Sequence, residues 1–329
     1  MVATAAQRSA AKIWSPSLDD ESEHSVFTAE MAPYLDDPFR GAIERRVLAP
    51  GETALSLELP AARAALTAAK LDASDLDLIL ASAFLPDQPG IGNAAPVARE
   101  LGVRCPAWNL ESACSGALVA LEQAVAFVKS GAYRKILIVI SCSYSRLTEV
   151  TDSLSWTVGD GAAAFVVTEL PAGTGMLGVK TINTADSHGV MYFSLEVDEQ
   201  RPHIWMRASA TAGASLRAMA DHAIFECSHG AAAAAGVSLA DIDFFVFPTP
   251  VAWFRSFYAK RLGIPLHKTL STHALYANTG PVLMPTNLYY AARLGKLRPG
   301  SLVMLNTLGL AANVSTAVVR WSDVALGRA

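Results

Sequence analysis

The chain has 329 residues, of which 52% are hydrophobic and 17% are charged. A composition this apolar excludes a disordered chain and predicts a large α/β core, together with a buried subunit interface. The net charge of -4, without a block of basic residues, argues against nucleic acid as a partner.

The N-terminal segment lacks a continuous apolar stretch of the signal-peptide type, and apolar runs such as residues 136–140 are too short to cross a membrane. The four cysteines are spaced too irregularly for a disulfide framework, and no pair of them has the spacing of a zinc site. We therefore expect a cytoplasmic protein without a membrane partner and without a bound metal. The cysteines are Cys105, Cys114, Cys142 and Cys227.

An internal repeat runs through the chain. Residues 71–80 (LDASDLDLIL) are echoed by residues 237–246 (VSLADIDFFV), and the same offset of 166 carries the apolar run 136–140 onto 302–306. Each copy predicts an alanine-rich helix, a buried strand, a long loop, a second helix and another buried strand. Strands that are apolar on both faces and alternate with helices predict mostly parallel sheets covered on each side. We expect two stacked halves, residues 1–170 and 171–329.

The repeat also relates two junctions between a loop and a helix. Under the offset of 166, Cys114 maps to Gly280 and Ser112 maps to Asn278. Equivalent junctions should face each other across the pseudo-twofold axis, which would bring two helix N-termini, each with unpaired N–H donors, toward one point.

Cys114 is the candidate nucleophile. It lies in ESACSG, residues 111–116, directly before an amphipathic run over 117–129, which predicts a strand, an elbow and a helix. A thiol at a helix N-terminus is expected to have a lowered pKa and to react readily at neutral pH. The alternative is a buried structural cysteine, but the small flanking residues leave room for a substrate and favour the nucleophile.

Several motifs together resemble the β-ketoacyl-ACP synthase III family. They are CPAWNLESACSG at 105–116, VGDGAA at 158–163, YANTG at 276–280 and ERR at 44–46. The resemblance implies a thiolase fold, in which two pseudo-symmetric βαβαβ halves form an α/β/α/β/α sandwich. A subgroup of this family consists of natural-product acyltransferases, which move an acyl group to an alcohol or amine.

The resemblance also implies roles for individual residues. Cys114 would take an acyl group from a thioester, and the backbone N–H groups of Cys114 and of Leu310, next to Gly309, would bind the carbonyl oxygen. Asn278 would donate to the thioester of the second substrate, with a helix cap as the alternative role. Ile91 would close the acyl pocket of the partner subunit in a homodimer.

One departure from the family concerns its catalytic histidine. Its position corresponds here to Pro248, or to Thr249 after a shift of one residue, so no histidine is present there. Decarboxylative condensation relies on that histidine together with the asparagine to stabilise an enolate, so ordinary condensation is in doubt. His188, and His273 on a predicted strand, are candidate replacement bases, and a structural histidine is the alternative for each.

The sequence thus predicts an acyltransferase of polyketide-type biosynthesis. Its donor would be an acyl carrier protein or acyl-CoA, its acceptor a small molecule, and no cofactor beyond the donor thioester is expected. One alternative is a decarboxylative β-ketoacyl-ACP synthase that forms a carbon–carbon bond. Another is a weakly active partner subunit of a heteromeric ketosynthase.

Overall fold

The computed structural model describes residues 29–198, 201–209 and 212–328. The first 28 residues of the predicted N-terminal half lie outside this part of the chain. The helices are α1 (Ala54–Ala69), α2 (Ala94–Leu101), α3 (Gly116–Ser130), α4 (Leu154–Thr157), α5 (Ala212–Ala234), α6 (Phe254–Arg261), α7 (His273–Tyr276) and α8 (Leu283–Arg293). The strands are β1 (Leu78–Phe84), β2 (Ala107–Asn109), β3 (Lys135–Ser143), β4 (Asp160–Thr168), β5 (Gly175–Asn183), β6 (Met191–Asp198), β7 (Arg201–Ala208), β8 (Phe244–Val246), β9 (Leu302–Leu308) and β10 (Asn313–Arg320).

The strands form two four-stranded sheets and a separate hairpin of β6 and β7. In the first sheet, of order β2-β1-β3-β4, β1 runs parallel to β2 and β3, and β4 is antiparallel to β3. In the second sheet, of order β5-β10-β9-β8, β8 and β9 are parallel, whereas β10 is antiparallel to both β9 and β5.

The expectation of mostly parallel sheets is right for the first sheet and wrong for the second. The short loop over residues 309–312 joins β9 directly to β10. A parallel pair needs a crossover connection of a dozen or more residues, so this loop permits only an antiparallel pair. The first sheet draws its strands from residues 78–168 and the second from 175–320. The division of the chain at residue 170 stays a prediction.

Three apolar cores build the predicted α/β/α/β/α sandwich. The central core packs α3 and α8 between the two sheets, one core packs α1 and α2 on the outer face of the first sheet, and the third packs α5 and α6 on the outer face of the second. Alternation along β1 shows how one strand serves two cores, because Leu78 and Leu80 face the central core and Ile79 faces the outer one. The thiolase-type sandwich predicted from the sequence is confirmed.

Helix α3 has an unusual hydropathy that its location explains. The stretch Ala113–Ser130 reaches a mean hydropathy of 1.2 over 18 residues, enough by length and composition to cross a membrane. In the fold this stretch lies in the central layer, where Ala117, Leu118 and Ala120 are fully buried between the sheets. A helix enclosed on two sides by sheets requires apolar residues around most of its circumference.

Helix α1 carries a buried carboxyl group, that of Glu58. Glu58 is fully buried; its Oε1 accepts a hydrogen bond of 2.6 Å from Ser141 Oγ, and its Oε2 accepts one of 2.8 Å from Asn93 Nδ2. Burial raises the pKa of Glu58 above its ordinary value, and the two hydrogen bonds act in the opposite direction. The fold therefore favours the protonated acid more than the unfolded chain does.

The raised pKa of Glu58 makes stability depend on pH. The stabilising contribution of the protonated acid is fully present below the unfolded pKa and is lost as the pH rises through the folded pKa. We expect the free energy of unfolding of Glu58→Gln, relative to that of the wild type, to be higher at pH 7.5 than at pH 4.5, because only the wild type loses stability as Glu58 ionises. Urea denaturation at the two pH values measures this difference. Glu169→Gln, at an exposed site, is the control, and a difference between Glu58→Gln and the wild type that does not change with pH contradicts the prediction.

Candidate functional site

Cys114 lies on a strained elbow between β2 and α3. A 3-10 turn, Ala113–Ser115, connects the strand to the helix, and Ala113 has a φ of +44°. Left-handed backbone is unfavourable for alanine and is found mainly where the surrounding structure enforces it, often at functional sites. The carboxylate of Glu111 supports the turn by accepting a hydrogen bond of 2.7 Å from the Ala113 N–H. The elbow leaves the Cys114 side chain half-buried.

The two junctions related by the repeat pack against each other. The turn Ala113–Ser115 contacts a second 3-10 turn, Gly280–Val282, which directly precedes α8. Gly280 makes this approach possible, because a Cβ there would lie 3.1 Å from Cys142 Sγ and 3.1 Å from the Tyr144 ring. The expectation that the equivalent junctions face each other is confirmed.

Tyr144 contacts the candidate nucleophile directly. Its hydroxyl oxygen lies 3.2 Å from Cys114 Sγ, and its side chain is buried. The sequence interpretation missed this residue. The available signal was its position just beyond the carboxyl end of β3, since loops at the carboxyl ends of parallel strands commonly form binding sites.

The expected lowering of the Cys114 pKa is wrong. Burial of the thiol raises its pKa above the ordinary value, the hydrogen bond with Tyr144 acts against this, and the charge of Glu111 adds to the rise. Burial removes the thiol from water and so disfavours its charged form. The resting sulfur is therefore a neutral thiol at pH 7.

Backbone N–H groups beside the sulfur are the next element of the site. In the loop between β9 and β10, the Ala311 N–H donates to Ser187 Oγ at 2.7 Å and the Ala312 N–H donates to Thr184 Oγ1 at 3.0 Å. The Gly309 N–H donates to the Asn313 carbonyl at 2.8 Å. Within the described ranges, the Leu310 N–H has no hydrogen-bond partner. The loop therefore keeps one donor available for a ligand.

Within the described ranges, no other residue accepts a hydrogen bond from the Cys114 N–H, which lies against its own Sγ. The loop and the nucleophile turn are also in close contact: a Cβ added to Gly309 would lie 2.8 Å from Ser115 Oγ and 3.1 Å from the Ser112 carbonyl. Two amide donors without a partner on another described residue thus belong to adjoining segments.

Asn278 is held in a rigid turn. Ala277 before it has a φ of +57°, the Asn278 N–H donates to the Thr157 carbonyl at 2.9 Å, and the Asn278 carbonyl accepts from the Gly159 N–H at 2.8 Å. The side-chain Oδ1 accepts a hydrogen bond of 2.9 Å from the Gly280 N–H. This is the capping role considered from the sequence, and it leaves the Nδ2 donor for a second role.

Comparison with known proteins agrees with this geometry. The chain matches the model of 3-oxoacyl-[acyl-carrier-protein] synthase III over residues 108–185 and the model of its C-terminal domain over 232–321. A β-ketoacyl-[acyl-carrier-protein] synthase III of Rhodospirillum rubrum is 34% identical over 294 residues, which cover 85% of this chain and 88% of that protein. The corresponding protein of Rhizobium meliloti is 31% identical over 294 residues, with the same coverage of 85% and 88%. The chain belongs to the 3-oxoacyl-[acyl-carrier-protein] synthase III family.

Solved structures share the fold. The synthase III of Pseudomonas aeruginosa superposes with a TM-score of 0.79 at 22% identity, covering 90% of this chain and 92% of that one. The priming β-ketosynthase from the R1128 polyketide pathway superposes with a TM-score of 0.77 at 24% identity, covering 85% of each chain. The fold thus agrees with the sequence relatives, which make the protein an enzyme of the ketoacyl-synthase III type.

Pro248 and Thr249, the residues that the resemblance aligns with the family's histidine, are part of the core. Pro248 and Thr249 are both buried, and Thr249 is fully so. Asn287 Nδ2 donates to Thr249 Oγ1 at 3.0 Å and to the Phe247 carbonyl at 2.8 Å. The hydroxyl of Thr249 is therefore engaged in a structural hydrogen bond and supplies no base.

The candidate replacement bases differ in their surroundings. His188 follows the turn Ala185–Ser187, which lies beside the loop over residues 309–312 (the Leu310 loop). Its side chain is exposed and, within the described residues, makes no hydrogen bond to Cys114. His273 lies in the short helix α7, not on a strand as predicted. Burial lowers the pKa of His273 to about 4, and backbone groups of Thr249 and Arg40 act in the opposite direction. Its ring is therefore neutral at pH 7 and a weak base. The role of His188 stays a prediction.

Ile91 lies on the surface beside the strand that leads to Cys114. It is 60% exposed, and its carbonyl accepts a hydrogen bond of 2.8 Å from Asn109 Nδ2 on β2. Gly92 packs closely on the same side chain, since a Cβ there would lie 2.3 Å from the Asn109 amide.

In the residues that the structure describes, no cluster of three acidic, cysteine or histidine side chains could hold a metal ion.

Close packing of the Leu310 loop predicts a specific mutational effect. We expect Gly309→Ala to destabilise the fold by about 1–3 kcal/mol, because the added methyl group overlaps Ser115 Oγ and displaces the loop. Urea denaturation measures the loss. Gly161→Ala is the matched control, since its methyl group would meet its nearest neighbour, Val282, at an ordinary 3.6 Å. Equal stability of the two variants would show that the loop is not tightly packed.

Proposed function

We propose that the protein is an acyltransferase of natural-product, polyketide-type biosynthesis. Cys114 takes an acyl group from a thioester carried by an acyl carrier protein or by coenzyme A, and passes it to a small-molecule acceptor. The donor thioester is the only cofactor that this reaction requires.

The amide donors around the sulfur support this proposal. When a nucleophile attacks a thioester, the carbonyl oxygen becomes negatively charged, and preorganised N–H groups stabilise that charge. We assign this role to the N–H groups of Cys114 and Leu310, neither of which donates to another residue in the described part of the chain. Asn278 Nδ2 is a further donor for the carbonyl of a bound substrate.

The observation that favours transfer over condensation is the buried pair Pro248 and Thr249 at the position of the family's histidine. Loss of one donor to a developing oxyanion typically costs about 2.7–4 kcal/mol of transition-state stabilisation. Transfer to an amine or an alcohol forms no enolate, so it does not need this donor. An amine needs little help with deprotonation, whereas an alcohol needs a base, and His188 is the candidate for that role.

Two further features of the proposal are a natural-product pathway and a cytoplasmic location. The similarity to a priming β-ketosynthase of the R1128 polyketide pathway is consistent with natural-product biosynthesis. The four free cysteines are consistent with the reducing cytoplasm.

A second candidate function is decarboxylative condensation to form a carbon–carbon bond. It is favoured by the names of the relatives, which are β-ketoacyl-[acyl-carrier-protein] synthases III at 30–34% identity, and by the presence of Asn278 in its rigid turn. The third alternative, a weakly active partner subunit of a heteromeric ketosynthase, predicts that Cys114 takes up no acyl group.

Mass spectrometry of the intact protein tests the first step. We expect incubation with acetyl-, hexanoyl- and benzoyl-CoA, and with the same acyl groups on a carrier protein, to add one acyl mass for at least one donor. Cys114→Ala should abolish the addition, because it removes the only nucleophile of the site. Cys105→Ala, which removes another partly exposed thiol, is the matched control and should retain it.

The second step separates the candidate functions. Transfer predicts that a primary amine or alcohol removes the acyl mass and yields an amide or ester, and that His188→Ala slows only the alcohol reaction. If malonyl-CoA instead loses carbon dioxide in a reaction that depends on Asn278, the function is condensation and not transfer. An adduct on another residue contradicts the proposal, and the absence of any adduct favours the partner-subunit alternative.

We also propose a homodimer in which Ile91 closes the acyl pocket of the partner subunit. Ile91 is exposed next to β2, and β2 pairs with β1 alone among the described strands. The β6–β7 hairpin, whose Phe193 ring lies 6.0 Å from the Phe84 ring on β1, offers further apolar side chains: Phe193, Leu195 and Val197 are 52%, 71% and 73% exposed. Such a surface is typical of a protein contact.

The proposed dimer predicts that a charged residue at position 91 weakens the association of the subunits. We expect Ile91→Asp to shift sedimentation velocity from a dimer toward a monomer, because it places a charge in an apolar interface. Acyl uptake by Cys114 should fall with it, since the pocket loses its partner wall. Leu294→Asp, at a site that is 64% exposed, is the control. A wild-type protein that sediments as a monomer and still takes up the acyl group overturns this part of the proposal.

A further inference from the structure

The structure assigns a catalytic role to Tyr144, and this inference rests on the proposed acyl transfer. We infer that the Tyr144 hydroxyl donates a hydrogen bond to Cys114 Sγ whenever the sulfur becomes negatively charged, and so stabilises the thiolate as nucleophile and as leaving group. The contact that carries the inference is the distance of 3.2 Å between the two atoms.

The direction of the hydrogen bond follows from the chemistry of its partners. Burial raises the pKa of Tyr144 well above its ordinary value, so the phenol keeps its proton at neutral pH. A neutral phenol can donate or accept, whereas a thiolate can only accept. Once Cys114 loses its proton, the hydrogen of the Tyr144 hydroxyl must therefore point at the sulfur.

The Tyr144 ring is held firmly in place. It packs edge-on against Phe84, with the ring centroids 4.9 Å apart, and lies against the backbone of Gly280. The next residue, Ser145, is fixed by a hydrogen bond of 2.8 Å from its N–H to the buried carboxylate of Asp160. A donor fixed in this way needs no reorganisation when charge forms on the sulfur, which is the condition for electrostatic catalysis.

The first half-reaction begins with loss of the Cys114 proton. The thiolate attacks the carbonyl carbon of the donor thioester, a new carbon–sulfur bond forms, and the bond to the carrier's sulfur breaks. The released carrier thiolate takes up the proton that Cys114 lost. Tyr144 acts before the attack, because its hydrogen bond increases the fraction of Cys114 present as thiolate.

The second half-reaction returns negative charge to Cys114 Sγ. The acceptor's nitrogen or oxygen attacks the acyl carbon, the carbon–sulfur bond of Cys114 breaks, and its electron pair returns to Sγ. The proton lost by the acceptor then restores the thiol. The sulfur of a thioester carries little charge, so the hydrogen bond from Tyr144 strengthens as the bond breaks. An interaction that is stronger in the transition state than in the ground state accelerates the step.

Tyr144→Phe tests the role, because it removes the hydroxyl and keeps the ring. We expect the pKa that governs alkylation of Cys114 by iodoacetamide to rise, and the rate at pH 7.5 to fall about tenfold, equivalent to a shift of about one pKa unit. Alkylation is followed from pH 6.5 to 10 by mass spectrometry of the Cys114 peptide, which separates it from the other thiols. Single-turnover acyl uptake and acyl transfer should each slow by a similar factor.

Tyr258→Phe is the matched control. Tyr258 is also fully buried, and its hydroxyl makes no hydrogen bond within the described residues. We expect this variant to reproduce the wild-type alkylation profile. If loss of any buried hydroxyl changed the reactivity of Cys114, the profile of this variant would change as well. Should Tyr144→Phe fail to fold, site-specific incorporation of 3,5-difluorotyrosine at 144 keeps the ring and makes the phenol a stronger donor. It should shift the alkylation pKa downward.

A folded Tyr144→Phe variant with the wild-type alkylation profile overturns the inference, as does a difluorotyrosine protein without a downward shift. These measurements use iodoacetamide and need no acyl donor. If the wild-type protein takes up no acyl group, the proposed function fails, while the alkylation profile still decides whether Tyr144 stabilises the Cys114 thiolate.

Discussion

Close contact between two loop-to-helix junctions is the constraint on which the candidate site depends. Gly280 has a φ of +54°, and a side chain at this position would meet Cys142 Sγ and the Tyr144 ring at 3.1 Å. Such contacts are tighter than most Cβ contacts, so a larger residue would require Cys142 or the Tyr144 ring to shift by a few tenths of an ångström. The same glycine binds the Asn278 side chain through its N–H. One small residue thus fixes the surroundings of the sulfur and the turn that presents the asparagine.

Burial of the sulfur determines how the site can stabilise charge. A buried thiol resists ionisation, and the structure places neutral donors around it: the Tyr144 hydroxyl and the N–H groups of Cys114 and Leu310. Neutral dipoles stabilise negative charge only when it forms, whereas a neighbouring cation holds a thiolate permanently. The resting sulfur is therefore a neutral thiol, and these donors stabilise negative charge on it as the charge forms.

Residues 247–249, which the family resemblance aligns with the catalytic histidine, form part of the buried core. Asn287 joins this segment to the rest of the core, since its Nδ2 donates to Thr249 and to the Phe247 carbonyl while its Oδ1 accepts from Thr272. A buried amide with its hydrogen bonds satisfied stabilises the connection between β8 and α8. The neutral His273 ring lies beside this segment, with a pKa lowered to about 4. This imidazole is thus a poor substitute for a base at pH 7.

The amino-acid sequence by itself determined the two-sheet sandwich, the repeat with an offset of 166 and the elbow that carries Cys114. These features arise from local patterns of apolar residues and from short motifs, which depend on few long-range contacts. Only the tertiary structure decided that β10 is antiparallel to its neighbours, that His273 lies in a helix, and that Tyr144 contacts a cysteine 30 residues away. It also reversed the expected shift of the Cys114 pKa. Desolvation and hydrogen bonding depend on groups that the fold brings together from distant parts of the chain, and no local pattern records them.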